Sequence, residues 1–373
     1  MDFDSLRRLD IVDSHIHLPF PSLGADLELA LNEMHIGTVN LVSTPDPKEI
    51  SHNPAVIAYK AAHPQTAYIS GGLDHFSVQA HPAEMPQAFA DQVRAMHAAG
   101  FDGLKLLESK PIARKMINIP LDGPIYAPMW AAVEEMGMPV VWHVADPEEF
   151  WDRDRCPQWV LDSGWFYGDG SYPLKEELNS EVENVLTRHP HLKVILAHFF
   201  FLSADLNRAA AFLDAHPNAC FDLTPGSEMY FNFSANLDAA HAFFTRYQDR
   251  IIFGTDIGAS VVGKPGTPLD RAETLGRTFV VRACLENAGK IEIPDGVKHW
   301  RRPNQEIQGL ALPDAILNKI YHDNFTHLYG ETPKPLNLPK AVEMIAFQAS
   351  VLDAMAGKPV ESTAHQVYTQ LIS

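Results

Sequence analysis

The chain has 373 residues, 46 % of them hydrophobic and 20 % charged, enough apolar content for a substantial core and too much for disorder. Its 29 Lys+Arg against 47 Asp+Glu give a net charge of −18, a field that repels nucleic-acid phosphates and anionic lipid heads, so no nucleic-acid or membrane partner is expected. Three cysteines, Cys156, Cys220 and Cys284, form no CxxC pair, which fits a reducing, cytoplasmic setting. The first residues, Met1 to Arg8, hold no apolar leader core, and the most apolar later run, Val194 to Leu202, is too short to span a bilayer.

In chain order, short apolar and β-branched runs predict strands at Asp10–Leu18, Thr38–Thr44, Ala67–Asp74, Phe101–Leu107, Pro139–Ala145, Lys193–Phe199, Ala219–Thr224 and Arg250–Ile257. Helical spacing lies between them, as in Leu27, Leu29, Leu31 and Met34, or Phe89, Val93 and Met96. Gly37, Gly100 and Gly137, or the prolines at 64, 190 and 217, provide the stops. Eight βα repeats without a GxGxxG after the first strand predict a (β/α)8 TIM barrel, of class α/β, rather than a nucleotide-binding open sheet. A helix over Asp270–Asn287, a polar stretch around Pro294–Gln305 and helices near Pro313–Tyr329 and Pro339–Met355 follow. The expected organisation is a barrel over residues 1–330 and a C-terminal helical extension over 331–373 packed on it. The late segments also offer a surface for a homodimer.

Most of the 18 histidines have ordinary roles. His35, His63, His97, His189 and His216 fall in the last turn of predicted helices, where they cap carbonyls. His52, His81, His191, His241, His299, His322, His327 and His365 show no clustering in the sequence. His15 and His17 differ, because positions i and i+2 of a strand put both rings on one face. In a barrel that face, at the C-terminal end of a strand, is the floor of the active site.

Comparable polar residues close other apolar runs: His143 after Pro139-Val140-Val141-Trp142, His198 after Val194-Ile195-Leu196-Ala197, and Asp256 after Phe253-Gly254-Thr255. Burying each without a partner would cost about 1–3 kcal/mol. Gathered at one mouth, His15, His17, His143 and Asp256 form an N/O donor set for a divalent cation, with His198 beside it.

These residues resemble the amidohydrolase superfamily, and within it the amidohydrolase-related (amidohydrolase 2) family of metal-dependent hydrolases and decarboxylases. The resemblance rests on Asp13-Ser14-His15-Ile16-His17, Gly103-Leu104-Lys105-Leu106, His143, His198, Gly254-Thr255-Asp256 and the closing segment Leu317–Gly330. It implies one metal, zinc by preference with manganese or iron as alternatives, held by His15, His17, His143 and Asp256. His198 and Asp256 would then be the catalytic groups beside the bound water. Lys105 stands where binuclear relatives carry a carboxylated bridging lysine; the alternative is a contact to a carboxylate or the substrate. The substrate implied is a small molecule.

The long stretch after strand five has the aromatics and glycines of a cover. Trp151, Trp165 and Tyr167 are candidates for stacking on a planar substrate, or form a small surface cluster. Arg153 and Arg155 are candidates for capturing a carboxylate, or belong to a solvated run with Asp152 and Asp154. The loop Asp222–Tyr230 adds Glu228 and Tyr230. The leading expectation is hydrolysis of a C–N or C–O bond, as in an amide or lactone, by metal-activated water. Non-oxidative decarboxylation of an aromatic or enoic carboxylate is the alternative, which a carboxylate-binding arginine facing the metal would favour. A non-catalytic metal-binding barrel is the weakest reading.

Overall fold

The computed structural model describes residues 1–226 and 228–373. All eight expected strands form, seven of them shorter than the apolar run and the fourth equally long but shifted two residues on: β1 Val12–His17, β2 Thr38–Val42, β3 Ala67–Gly71, β4 Gly103–Ser109, β5 Val140–Val144, β6 Val194–Leu196, β7 Ala219–Asp222 and β8 Ile251–Ile252. They pair in sequence order, every neighbour parallel. The sheet closes because β1 bonds to the chain leaving β8: Ser14 N–H donates to Phe253 O (3.1 Å), Asp256 N–H to His15 O (2.9 Å) and His17 N–H to Ile257 O (2.9 Å). Helices cover the outside, so strand residues are buried on both faces, which is why they read as continuous apolar runs rather than as alternation.

Helix ends follow local chemistry. The helix Met85–Ala99 stops at Gly100, whose φ is 95° and where a Cβ would sit 2.4 Å from Pro335 O; only glycine fits. The first helix, Gly24–Met34, stops earlier than Gly37, on His35 in the left-handed region. Its buried stripe is Leu27, Ala30, Leu31 and Met34, while Leu29 faces solvent. His63, His189 and His216 close their helices as expected.

After β8 a helix runs from Arg271 to Glu286, capped by the Asp270 side chain. The stretch read as merely polar holds a helical turn at Asp295–Trp300 and is flanked by an antiparallel pair, Ala288–Ile291 with Ile307–Leu310. Helices Leu338–Ala356 and Thr363–Ile372 end the chain, both within the stretch expected as a helical extension. Both pack on the helix Asn53–Ala62, and the first also on Met85–Ala99. Among the described residues no helix is long and apolar enough to cross a membrane.

A buried ion pair ties these layers together. Lys60 donates to Asp102 and to Gly100 O (3.0 Å), while Asp102 also accepts from Ile69 N (2.8 Å) and Lys334 N (2.7 Å). Neither side chain is exposed. Removing one partner strands the other charge in the core, so Lys60→Met is expected to lower unfolding free energy by about 3–5 kcal/mol. Replacing both partners, as Lys60→Met with Asp102→Leu, should cost less than the single change in the same denaturant titration.

Candidate active site and metal centre

β1 delivers His15 and His17 together: their ring centroids are 5.3 Å apart. The chain leaving β8 delivers Asp256, whose Oδ1 lies 3.1 Å from His17 Nε2 and 3.7 Å from His15 Nε2. These three side chains form the group able to hold a metal ion among the described residues. Gly258 permits the close seam, since a Cβ there would lie 2.0 Å from His17 O.

The donor set suits a divalent ion. Asp222, at the end of β7, sits 3.0 Å from His15 Nδ1, an arrangement that leaves the Nε2 lone pair for a metal. His17 Nδ1 is buried with no partner among the described residues. Burial lowers His17 to about 4, keeping it neutral as a ligand must be. Burial works against ionising Asp256, but the His17 hydrogen bond and surrounding imidazoles hold it well below the carboxylate range.

His143 and His198 stand beside this triangle as a pair, His198 Nε2 3.0 Å from His143 Nδ1. The second ring nitrogen of His143 faces Ala145 O at 3.0 Å. Both are held neutral, His198 at about 4 by burial and His143 well below its ordinary value by burial and the nearby Lys110. His198 opens a left-handed run: φ is positive at His198, Phe199, Phe200 and Phe201, and again at Ala145 and Asp256. For non-glycine residues each such conformation costs on the order of 1–3 kcal/mol and persists only where the surroundings impose it. Asp222 is part of that imposition, because it accepts from His198 N at 2.7 Å. One carboxylate therefore orients a metal-ligand candidate and fixes the turn that carries His198.

Lys105 is fully buried, its Nζ 2.9 Å from His15 Nε2. Burial lowers it to about 8. It lies under the cluster and contacts the nitrogen a metal would use, whereas the cavity above is lined by other residues.

That cavity, about 340 Å3, is lined by His17, His143, His198 and Asp256 at its base and by Phe150, Trp159, Trp165, Phe201 and Trp300 on its walls. Trp165 lines the cavity. Trp151 and Tyr167 instead support the loop from behind: Trp151 donates to Pro173 O (3.1 Å) and Tyr167 to Asp146 (2.8 Å). Asp146 in turn binds Lys110 at 2.7 Å, and Lys110 borders the cavity. Arg153 and Arg155 are exposed and do not line it; Arg153 lies over the Phe166 ring.

The arginine of the cavity is Arg277, from the helix after β8. Its Nη1 is 3.4 Å from Asp256 Oδ2, its Nε donates to Glu273 at 3.1 Å, and its guanidinium lies over the Trp300 ring. His299 borders the cavity as well, against its reading as an unclustered histidine. Glu228 is buried behind Gly226, with both carboxyl oxygens unpartnered among the described residues, and burial raises it to about 7. Tyr230 donates to Leu223 O (2.8 Å); Ser227, in the same loop, lies outside the described residues.

Asp222 carried the signal that identified Asp256, a polar residue ending an apolar run. Arg277, His299 and Trp300 carried none, since a charged residue on an amphipathic helix reads as solvated surface. Asp222→Asn is expected to weaken metal binding by about 10–100-fold in a chelator competition titration. Affinity unchanged from the parent would remove Asp222 from the centre.

The family model described as Amidohydrolase matches residues 75–330, a range that includes His143, His198, Asp256 and Arg277. No curated protein matches the chain. Among solved structures, an uncharacterized TIM-barrel protein from Bordetella bronchiseptica is 16 % identical, with a TM-score of 0.51, covering 89 % of this chain and 99 % of its own. A 2,6-dihydroxybenzoate decarboxylase from Rhizobium is also 16 % identical, with a TM-score of 0.50, covering 86 % and 98 %. At that identity the likeness concerns the barrel alone, while the match over most of the sequence supports a narrower conclusion: the chain belongs to the amidohydrolase family.

Proposed function

We propose that this protein is a metal-dependent decarboxylase of a small planar carboxylic acid. The observation that carries the reading is Arg277, a largely buried guanidinium in the same cavity as His17 and Asp256 and 3.4 Å from the latter. An arginine fork pairs with a carboxylate through two parallel hydrogen bonds, and the aromatic walls suit a flat apolar body. His15, His17 and Asp256 would hold the ion, with His143 beside them. When bound, the metal supplies Lewis-acid polarisation of a substrate oxygen. The name of the Rhizobium neighbour is consistent with this chemistry.

In this scheme Arg277 holds the carboxylate and Trp159, Trp165 and Trp300 hold the ring or enoic plane. The bond from the carboxyl carbon breaks, carbon dioxide leaves, and a proton takes its place on carbon. That proton comes from water: His198 and Asp256, both unprotonated at the base of the cavity, would take it up from solvent and pass it on. Glu228, one wall away behind Gly226, is left as a support of that wall.

Hydrolysis is the second reading. It is favoured by the position of Asp256, a carboxylate kept ionised at the cluster and so suited to accept a proton from an attacking water. The two readings part on products. With the metal-loaded enzyme and a panel of aromatic and enoic carboxylates, amides and lactones, we expect carbon dioxide release from a carboxylate. Turnover of an amide or lactone without carbon dioxide would overturn decarboxylation.

Arg277→Met should lower kcat/KM on the carboxylate by roughly 100-fold or more, the scale of an unpaired buried charge. A variant as active as the parent would dismiss the arginine.

A further inference from the structure

One wall of the cavity carries a hydrogen-bonded chain that the proposed chemistry leaves unused. Thr44, two residues beyond β2, lines the cavity with His17 and Asp256. After it, Pro45–Asp46 pairs antiparallel with Ile50–Ser51, and this small hairpin brings His52 back against Thr44. His52 Nδ1 is 3.1 Å from Thr44 Oγ1, and His52 Nε2 is 3.3 Å from Asp46 Oδ2. All three side chains are buried.

The chain has a direction. Burial pushes the Asp46 carboxyl upward, but hydrogen bonds from His52 and from Lys48 N (2.7 Å) leave it below its ordinary value. As a carboxylate Asp46 only accepts, so the imidazole presents N–H at Nε2, and in the neutral ring Nδ1 is then an acceptor. Against that neutral ring Thr44 donates its only hydroxyl hydrogen to Nδ1. What remains for the cavity is the oxygen lone pairs, an acceptor fixed in place by two buried residues.

We propose that Thr44 is a specificity-determining residue whose hydroxyl oxygen accepts a hydrogen bond from an O–H or N–H group of the substrate. The substrate class is thereby narrowed to carboxylates that also carry a hydrogen-bond donor. A site built to pair such a group discriminates strongly, because a partner lacking it leaves a buried polar atom unmatched. This inference rests on the reading of the cavity as a carboxylate site.

The test is calorimetric binding of benzoate, the three hydroxybenzoates, the three aminobenzoates and the methoxy counterparts to the metal-loaded protein. At least one donor-bearing isomer should bind about tenfold more tightly than benzoate and than its methoxy counterpart, the worth of one buried hydrogen bond. Thr44→Ser should keep that ratio, and Thr44→Val should bring it to about one. Equal binding of donor and methoxy isomers by the parent, or a preference that survives Thr44→Val, overturns the role of Thr44. Benzoates that bind without that preference and are lost on Arg277→Met would sink the Thr44 inference alone. No binding by any benzoate would sink the carboxylate reading and this inference together.

Discussion

Closing a parallel eight-stranded sheet is the constraint on which the site depends. It places residues some 240 positions apart in hydrogen-bonding contact, Asp256 N–H on His15 O and His17 N–H on Ile257 O. Once that seam is made, the side chains of His15, His17 and Asp256 have little choice but to converge. Asp13 reinforces it from β1, accepting from Thr255 N and the Thr255 hydroxyl. Gly258 allows it, by lacking a Cβ where His17 O passes. The geometry of the candidate metal site is thus a property of barrel closure before it is a property of any ligand.

The rest of the centre shows how a barrel accommodates polar groups it would otherwise exclude. Desolvation favours neutral imidazoles at His17, His143 and His198, the state in which they bind metals. It opposes the carboxylates, and each ionised one is matched by specific donors: His17 for Asp256, His15 and the His198 amide for Asp222, Lys110 and Tyr167 for Asp146. Backbone strain gathers at the same level, with positive φ at Ala145, His198 and Asp256. Strain and buried charge both oppose stability, and their coincidence at three strand ends marks the level where chemistry, rather than packing, set the sequence.

The sequence disclosed the strands and the strand-end residues because both obey short-range rules: apolar runs of the right length, alternation that puts His15 and His17 together, and polar residues where core was due. It concealed what depends on packing between distant elements. Arg277 belongs to a helix whose charged positions read as surface, yet Arg277 lines the cavity and Arg282 and Glu286 are buried. His299 and Trp300 come from a stretch with no strong periodicity. His52 reads as an isolated histidine until a two-residue hairpin folds it back on Thr44 and Asp46. Arg153 and Arg155, which also read as part of a solvated run, are exposed and lie outside the cavity lining, so proximity in sequence to a long loop does not place a side chain in the cavity.

Closure of the barrel brings together His15, His17 and Asp256, the residues of the proposed metal centre. Anomalous diffraction from crystals of the purified protein, recorded at the absorption edge of its bound metal, tests it most directly. The account predicts one peak within coordinating distance of His15 Nε2, His17 Nε2 and an Asp256 carboxylate oxygen. A map with no peak there, or with its only peak elsewhere on the barrel, would contradict it.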